Sequence, residues 1–270
     1  MTELLFVLMG LVAGTYGTII GAGGGFIIVP ILLFMFPDRP AASLAAASLF
    51  AVMFNGVSAT YAYGRMKRID FKAAIVFILA TVPGSVMGAF VVSYLSRSVF
   101  EGIFGGILTA ISLYLFLAKR DYSKATGRAG SNAHTLVDSL GRSYSFSVNY
   151  WLGGGIAFGV GFLSSMLGIG GGLMMVPTMV LLLQIPFPIA VGTSQAILLG
   201  TATVGTLTHL SKGNLWGEWT VAPLLAIGAV VGAQFGARLS RRVSSKLVAR
   251  LLSLALAGVG IRLLWQAFLG

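Results

Sequence analysis

Eight long apolar stretches, at residues 4–36, 41–63, 72–94, 99–118, 149–183, 188–209, 219–237 and 247–268, make up most of this chain. Charged or proline-containing turns separate them. About 20 apolar residues make a helix that crosses a bilayer core, and six of the stretches fit one crossing each. Composition removes the soluble alternative. Of 270 residues, 57% are hydrophobic and only 9% charged, whereas a water-facing domain carries about 25% charged residues. The chain is therefore read as all-α, a polytopic transmembrane helical protein. It has no cysteine, so thiol chemistry and metal–sulfur ligation are excluded. The net charge of +11 sits in loops, where it reports orientation in the membrane; no basic solvated module suggests nucleic acid. Met1-Thr2-Glu3-Leu4 lacks the positive start of a secretory signal, so the first apolar run is expected to stay as a membrane segment.

The stretches 4–36 and 149–183 are too long for one crossing and awkward for two, and glycine interrupts both. Gly14, Gly21, Gly23, Gly24, Gly25, Val29 and Pro30 recur as Gly161, Gly168, Gly170, Gly171, Gly172, Val176 and Pro177, all at an offset of 147. Ala47-Ser48 matches Thr193-Ser194 at an offset of 146, and the run from Pro83 to Ala89 matches Ile227 to Ala233 at 144. The chain thus divides into a first transmembrane repeat, 1–118, a polar cytoplasmic linker, 119–148, and a second transmembrane repeat, 149–270.

Charge fixes the relation between the copies. If the chain reverses at each glycine break, three basic clusters fall on one face: Arg65/Lys67/Arg68/Lys72, Lys119/Arg120/Lys124/Arg128/Arg142 and Arg238/Arg241/Arg242/Lys246/Arg250. Only Arg39, Arg97, Lys212 and Arg262 remain opposite. Fourteen against four follows the bias of inner loops toward Lys and Arg. A simple kink would place large clusters on both faces. The expectation is two inverted repeats, each with a Gly-broken or re-entrant first helix pair, the clusters cytoplasmic and both termini outside. A re-entrant hairpin and two tightly linked spans both satisfy this parity.

Three consecutive glycines cost about 1 kcal/mol each in a helix, and irregular backbone at membrane depth survives only inside protein or beside a wet cavity. Paired interruptions at matching places in two halves point to a transporter site. A short helix is expected after each break, 24–36 and 171–183, with its free N–H groups and positive dipole end at the break. An anion could approach that side-chain-free backbone closely. The alternative is that the glycines only allow close helix packing. The candidate binding residues are Gly23, Gly24, Gly25, Gly170, Gly171 and Gly172, completed by Ser48, Thr193, Ser194 and Gln195. Thr18, Ser165, Asn55 and Thr201 lie near them in sequence. For any single hydroxyl, bonding to its own helix is the commoner role.

All seven carboxylates, Glu3, Asp38, Asp70, Glu101, Asp121, Asp138 and Glu218, fall in loops or near segment ends. Cation carriers and proton pumps usually keep one within the membrane, so an anionic or neutral substrate is favoured and no metal site is expected. There is no HExxH, GxSxG or Walker motif, which argues against a membrane protease, an esterase or an ATP-driven pump; no enzymatic activity and no cofactor are expected. His209, at a segment end, could shuttle a proton, although a polar anchor is the commoner role there. Trp216, Trp219 and Trp265 read as interfacial belt residues.

The paired signature, Gly14 with Gly21-Ala22-Gly23-Gly24-Gly25 and Val29-Pro30, repeated from Gly161 through Val176-Pro177, resembles that of the TauE/SafE sulfite exporter family. Ala190-Val191-Gly192-Thr193-Ser194 is similar to the family's second-helix motif. The first copy departs from it, reading Ala45-Ala46-Ala47-Ser48. The resemblance implies a bacterial inner-membrane, multi-pass permease, a secondary transporter and exporter of small anions of the sulfite or organosulfonate class. A passive anion channel and a carrier of small carboxylates are the alternatives. Its partners would be a small anionic substrate and the lipid bilayer, with a homodimer as a further option.

Overall fold

In the computed structural model, residues 2–117, 134–241 and 245–269 are described. Among the described residues ten α-helices follow the apolar pattern: α1 (Thr2–Ile20), α2 (Gly25–Met35), α3 (Ala41–Arg65), α4 (Phe71–Val91), α5 (Arg97–Leu117), α6 (Tyr150–Leu167), α7 (Gly172–Leu181), α8 (Phe187–Ser211), α9 (Val221–Leu239) and α10 (Ser245–Leu269). Six of these, α1, α3, α4, α6, α8 and α9, are long and apolar enough to cross a membrane. Helices α5 and α10, of 21 and 25 residues, have the length for it. Large apolar side chains such as Leu79, Ile227 and Phe235 are exposed on the outer faces, where lipid rather than water is the fitting neighbour. The protein is a multi-pass helical membrane protein.

The two over-long stretches each become a full helix followed by a half-length one. At α2 the chain doubles back: Phe36, just past its end, stacks on Phe6 near the start of α1 with ring centroids 6.2 Å apart. In the second half Leu183 lies against Gly153, near the start of α6. Helices α2 and α7, of 11 and 10 residues, are only about 15–16 Å long. Each therefore begins at mid-depth, at the level of Ala13 in the first case, and returns to the side its hairpin came from.

Packing repeats when the halves are exchanged. Helix α1 lies on α9 as α6 lies on α4, α3 touches α9 as α8 touches α4, and the pairs α3/α8 and α5/α10 join equivalents. Glycine sets how close these helices come. Gly228, Gly232 and Gly236 face backbone of Val7, Leu11 and Thr15, so α1 and α9 run in the same direction. Gly84 and Gly88 face Phe158 and Phe162, so α4 and α6 do too. A Cβ on any of these glycines would overlap a carbonyl oxygen, the signature of small-xxx-small packing. By contrast, Ser98 donates to the Ala267 carbonyl and Ser112 to that of Ser253, which makes α5 and α10 antiparallel.

Part of the polar linker is not helical. Strands β1 (His134–Val137) and β2 (Ser143–Phe146) form an antiparallel hairpin, with His134 opposite Phe146. The alternation of polar and apolar residues in β2 is the period-2 pattern of a half-covered strand, and Gly141 takes the positive φ of 77° that the turn needs. The hairpin docks on the α3–α4 loop. Arg68 donates to Asp138 at 3.0 Å, and the Ser139 amide donates to the Met66 carbonyl at 3.0 Å. Lys119, Arg120, Asp121, Lys124, Arg128 and Arg242 lie outside the described residues.

Candidate functional site

Each break is built by glycines that take a backbone conformation other residues avoid. Gly21, Gly23 and Gly24 have φ of 81°, 72° and 86°; Gly168, Gly170 and Gly171 have 74°, 82° and 86°. For an ordinary L-residue each such turn costs about 1–2 kcal/mol. Gly24 and Gly171 are the N-caps of α2 and α7, and neither cap is filled by a side chain.

The two breaks cross one another. Gly25 packs on the backbone of Gly168 and Ile169, and Gly172 packs on Gly21 and Ala22. A Cβ at Gly172 would overlap the Gly21 carbonyl oxygen, and one at Gly25 would come within 2.6 Å of the Gly168 oxygen. Gly23 and Gly170 both lie against Val52 and Leu198, two fully buried side chains from the middles of α3 and α8. Around this crossing the amides of Gly24, Gly25 and Phe26, and those of Gly171, Gly172 and Leu173, find no acceptor among the described residues. All six residues are buried. Unpaired N–H groups at this depth call for a partner, and two helix N-termini bring positive potential to the same place.

Ser48 donates to the Gly168 carbonyl at 2.8 Å, and Ser194 donates to the Gly21 carbonyl at 2.8 Å. Each helix thereby pins the break of the opposite half, and both hydroxyl protons are directed at backbone in this conformation. Gln195 Nε2 donates to the Gly17 carbonyl at 3.3 Å, and its buried Oε1 has no partner. Thr193 lies apart from the crossing, where its Oγ1 accepts from the Asp70 amide at 2.9 Å beside the α3–α4 loop.

His209 is fully buried, two residues from the end of α8. Its Nε2 meets the Ser165 carbonyl at 3.3 Å and its Nδ1 meets the Asn214 amide nitrogen at 3.0 Å. With Asn214 donating to Nδ1, the Nε2–H is left for Ser165. Tyr63, its counterpart at an offset of 146 in the sequence, donates to the Thr18 carbonyl at 3.0 Å. The two side chains thus tie equivalent carbonyls of α1 and α6. Two site residues escaped the sequence reading or were left at its margin. Ser164, buried and without a hydrogen-bond partner, has its Oγ 3.3 Å from where a Gly171 Cβ would stand. The signal for it was its repeat counterpart, Gly17, which has no side chain at all. Asn55 is the hub of the first half: it donates to the Gly14 and Ala229 carbonyls and accepts from Thr18.

The carboxylates sit at the ends of the helices. Asp70 caps the start of α4, Glu101 pairs with Arg97 at 2.7 Å and Glu218 with Arg39 at 2.6 Å. This geometry, a broken-helix crossing with amides turned inward, can be set beside known proteins. The description "Sulfite exporter TauE/SafE" names the family whose sequence profile matches residues 6–263.

The chain belongs to the TauE/SafE family.

It is also similar to the probable membrane transporter protein YunE of Bacillus subtilis (strain 168), 37% identical over 240 residues that cover 85% of each chain. A probable membrane transporter protein of Methanocaldococcus jannaschii is 27% identical over 216 residues, 78% of this chain and 73% of that one. No solved structure matches the chain. The protein is thus a member of a membrane transporter family, with relatives in a bacterium and an archaeon.

Proposed function

We propose that this TauE/SafE-family protein is a secondary transporter that exports small oxyanions of the sulfite or organosulfonate class across a bacterial inner membrane. The anion binds where the two glycine breaks cross. The observation that carries this reading is the set of six buried, unpartnered amides at the paired N-termini of α2 and α7. Gly23 to Gly25 and Gly170 to Gly172 supply the close backbone approach. Ser164 and Gln195, with buried atoms that lack partners, are the side chains nearest to hand. Ser48 and Ser194 hold the breaks in place. Each helix end is worth about 0.3–1 kcal/mol exposed and up to ~2 partly buried. Two ends and a few hydrogen bonds give binding near ~4 kcal/mol, in the millimolar range. Such weak binding suits a carrier that must release its cargo.

The halves are proposed to be inverted repeats, with the three basic clusters cytoplasmic and both termini outside. Support comes from the two hairpins that return to their own side, the parallel pairs α1/α9 and α4/α6, the antiparallel pair α5/α10, and the fourteen-to-four charge bias. Val52 and Leu198, fully buried over the crossing, favour a carrier with alternating access over an open anion pore. The test is a flux screen in proteoliposomes with sulfite, sulfate, organosulfonates and small carboxylates, with and without a pH gradient. Saturable sulfite or sulfonate flux with counterflow is expected. Ohmic single-channel currents, or flux confined to carboxylates, would refute this assignment.

A further inference from the structure

The cations at the two ends of the helices are treated differently. On one side Arg39 and Arg97 are neutralised by Glu218 and Glu101, and Arg97 also donates to the carbonyls of Leu33 and Phe36 at the end of α2. On the other side Arg68 is taken up by Asp138. Arg65, Arg238 and Arg241, close by, have no carboxylate partner among the described residues, and all three are exposed. They converge on one cavity of about 790 Å³ between the last turns of α3 and α9. The tip of the linker hairpin closes one wall through Ser139, which the Met66 carbonyl holds in place. Tyr61 and Phe235 form the opposite lip; the Arg65 guanidinium lies 5.9 Å from the Tyr61 ring centroid.

That lip continues along the outer surface as an apolar track. Val57 on α3 and Val231 on α9 are 52% and 42% exposed, each about one turn below Tyr61 and Phe235 respectively. Three uncompensated guanidinium groups over an apolar, lipid-facing groove make an amphipathic site. Guanidinium forks match the oxygens of a phosphate, and the groove matches an acyl chain. The cavity is far larger than a four-atom oxyanion needs.

We propose that this cleft binds a phosphate-type oxyanion, held as the headgroup of an anionic phospholipid whose chains lie along the α3–α9 groove. The site is separate from the glycine crossing, and the proposal does not depend on which anion is transported. By clamping α3 and α9 to the linker hairpin, a bound headgroup would brace the one described non-helical element of the fold.

The experiment uses the full-length protein in neutral-detergent micelles doped with phosphatidylglycerol, with phosphatidylcholine, or supplied with inorganic phosphate. Retained lipid is read by native mass spectrometry and thermal stability is measured in parallel. Phosphatidylglycerol should be retained and should stabilise, and phosphatidylcholine should do neither. In the triple variant Arg65→Gln/Arg238→Gln/Arg241→Gln, retention should weaken by roughly 100-fold, three surface charges acting together. The pair Lys72→Gln/Arg142→Gln, on the same face but outside the cleft, should retain lipid like the wild type. Saturable stabilisation by inorganic phosphate alone, lost in the triple variant, would assign the site to a soluble oxyanion and overturn the lipid headgroup as its source. Equal retention of both lipids, a triple variant that binds like the wild type, or equal loss in the control pair would overturn the site altogether. Single Arg→Gln variants keep the test readable should the triple variant fail to fold.

Discussion

The two glycine breaks share a backbone and differ in their surroundings. In both, three positive-φ glycines turn the chain and a serine from the opposite half pins it. The first break is packed backbone against backbone: a Cβ at Gly17 would overlap the Gly24 amide, and one at Gly24 would overlap the Ala13 carbonyl. Asn55 then ties α3 to α1 and α9 with three hydrogen bonds. The second break has room at Gly171, and spare polarity beside it. Ser164 replaces Gly17 and leaves its hydroxyl unpaired beside Gly171, and Gln195 stands where the first half has Leu49. Duplication made two equivalent turns; the side chains have since specialised. In the proposed reading both breaks offer amides, the first is the tighter scaffold, and the second adds side-chain polar groups for a ligand.

Substituting the two N-cap glycines separates these roles most strongly. Gly24→Ala combines a φ cost of about 1–2 kcal/mol with overlap of a backbone carbonyl that cannot yield. It should destabilise the purified protein by more than ~3 kcal/mol in thermal or denaturant unfolding. Gly171→Ala bears the same φ cost but meets side chains alone, the Ser164 hydroxyl at 3.3 Å and the Val160 Cγ1 at 3.4 Å. It should insert, fold with a loss of about 1–2 kcal/mol, and lose anion flux out of proportion to that. Equal stability losses in the two variants would erase the distinction between scaffold and site.

A smaller contrast is expected at the next layer. Asn55→Ala strands the Gly14 and Ala229 carbonyls and should cost about 1–3 kcal/mol. Its repeat counterpart Thr201, which bonds Thr81 and its own helix, should cost about 1 kcal/mol as Thr201→Val. Ser164→Ala removes no hydrogen bond present in the structure, so its stability should stay within ~0.5 kcal/mol of wild type. Sulfite affinity, measured by titration calorimetry, should nevertheless fall by about 1 kcal/mol, roughly five-fold. Unchanged affinity would move the ligand shell elsewhere.

The smallest effect sharpens the comparison from outside the membrane. Burial pulls the Asp138 carboxyl upward, but the amides of Arg142 and Leu140 and the Arg68 guanidinium outweigh it and hold it below the usual carboxylate range. A depressed carboxyl stabilises docking above its ordinary value of about 3.9 and loses that contribution as pH falls through the lower folded value. Hydrogen-exchange protection in residues 134–146, relative to the intrinsic rate at each pH, should therefore be flat between about pH 5 and 8 and fall only below about pH 4. A transition near neutrality would contradict this carboxylate's role.

Much of this was legible in the sequence. Runs of apolar residues gave the helices within a few positions, because the bilayer requirement leaves little choice of element. The offset of 147 located both breaks, since a turn made of positive-φ glycines cannot drift without strain. Side-chain partners were harder to read. Thr193 and Ser194 are adjacent in sequence yet lie about 100° apart around α8, one toward the α3–α4 loop and the other toward Gly21. Nothing local indicated which would face the crossing. The linker hairpin is hard to read because only the four residues of its second strand alternate, a weak signal in so polar a segment. Ser164 was passed over as one serine among many, although comparison with Gly17 would have singled it out.

Backbone amides at the crossing are proposed to hold the transported anion. Selenite, a heavier analogue of sulfite, allows that to be seen directly by anomalous scattering from crystals of the wild-type protein soaked with it. A peak at mid-depth between the two breaks, within hydrogen-bond distance of amides among Gly24–Phe26 and Gly171–Leu173, is the predicted result. Selenite bound only in the arginine cleft beneath the linker hairpin, with the crossing empty, would contradict it.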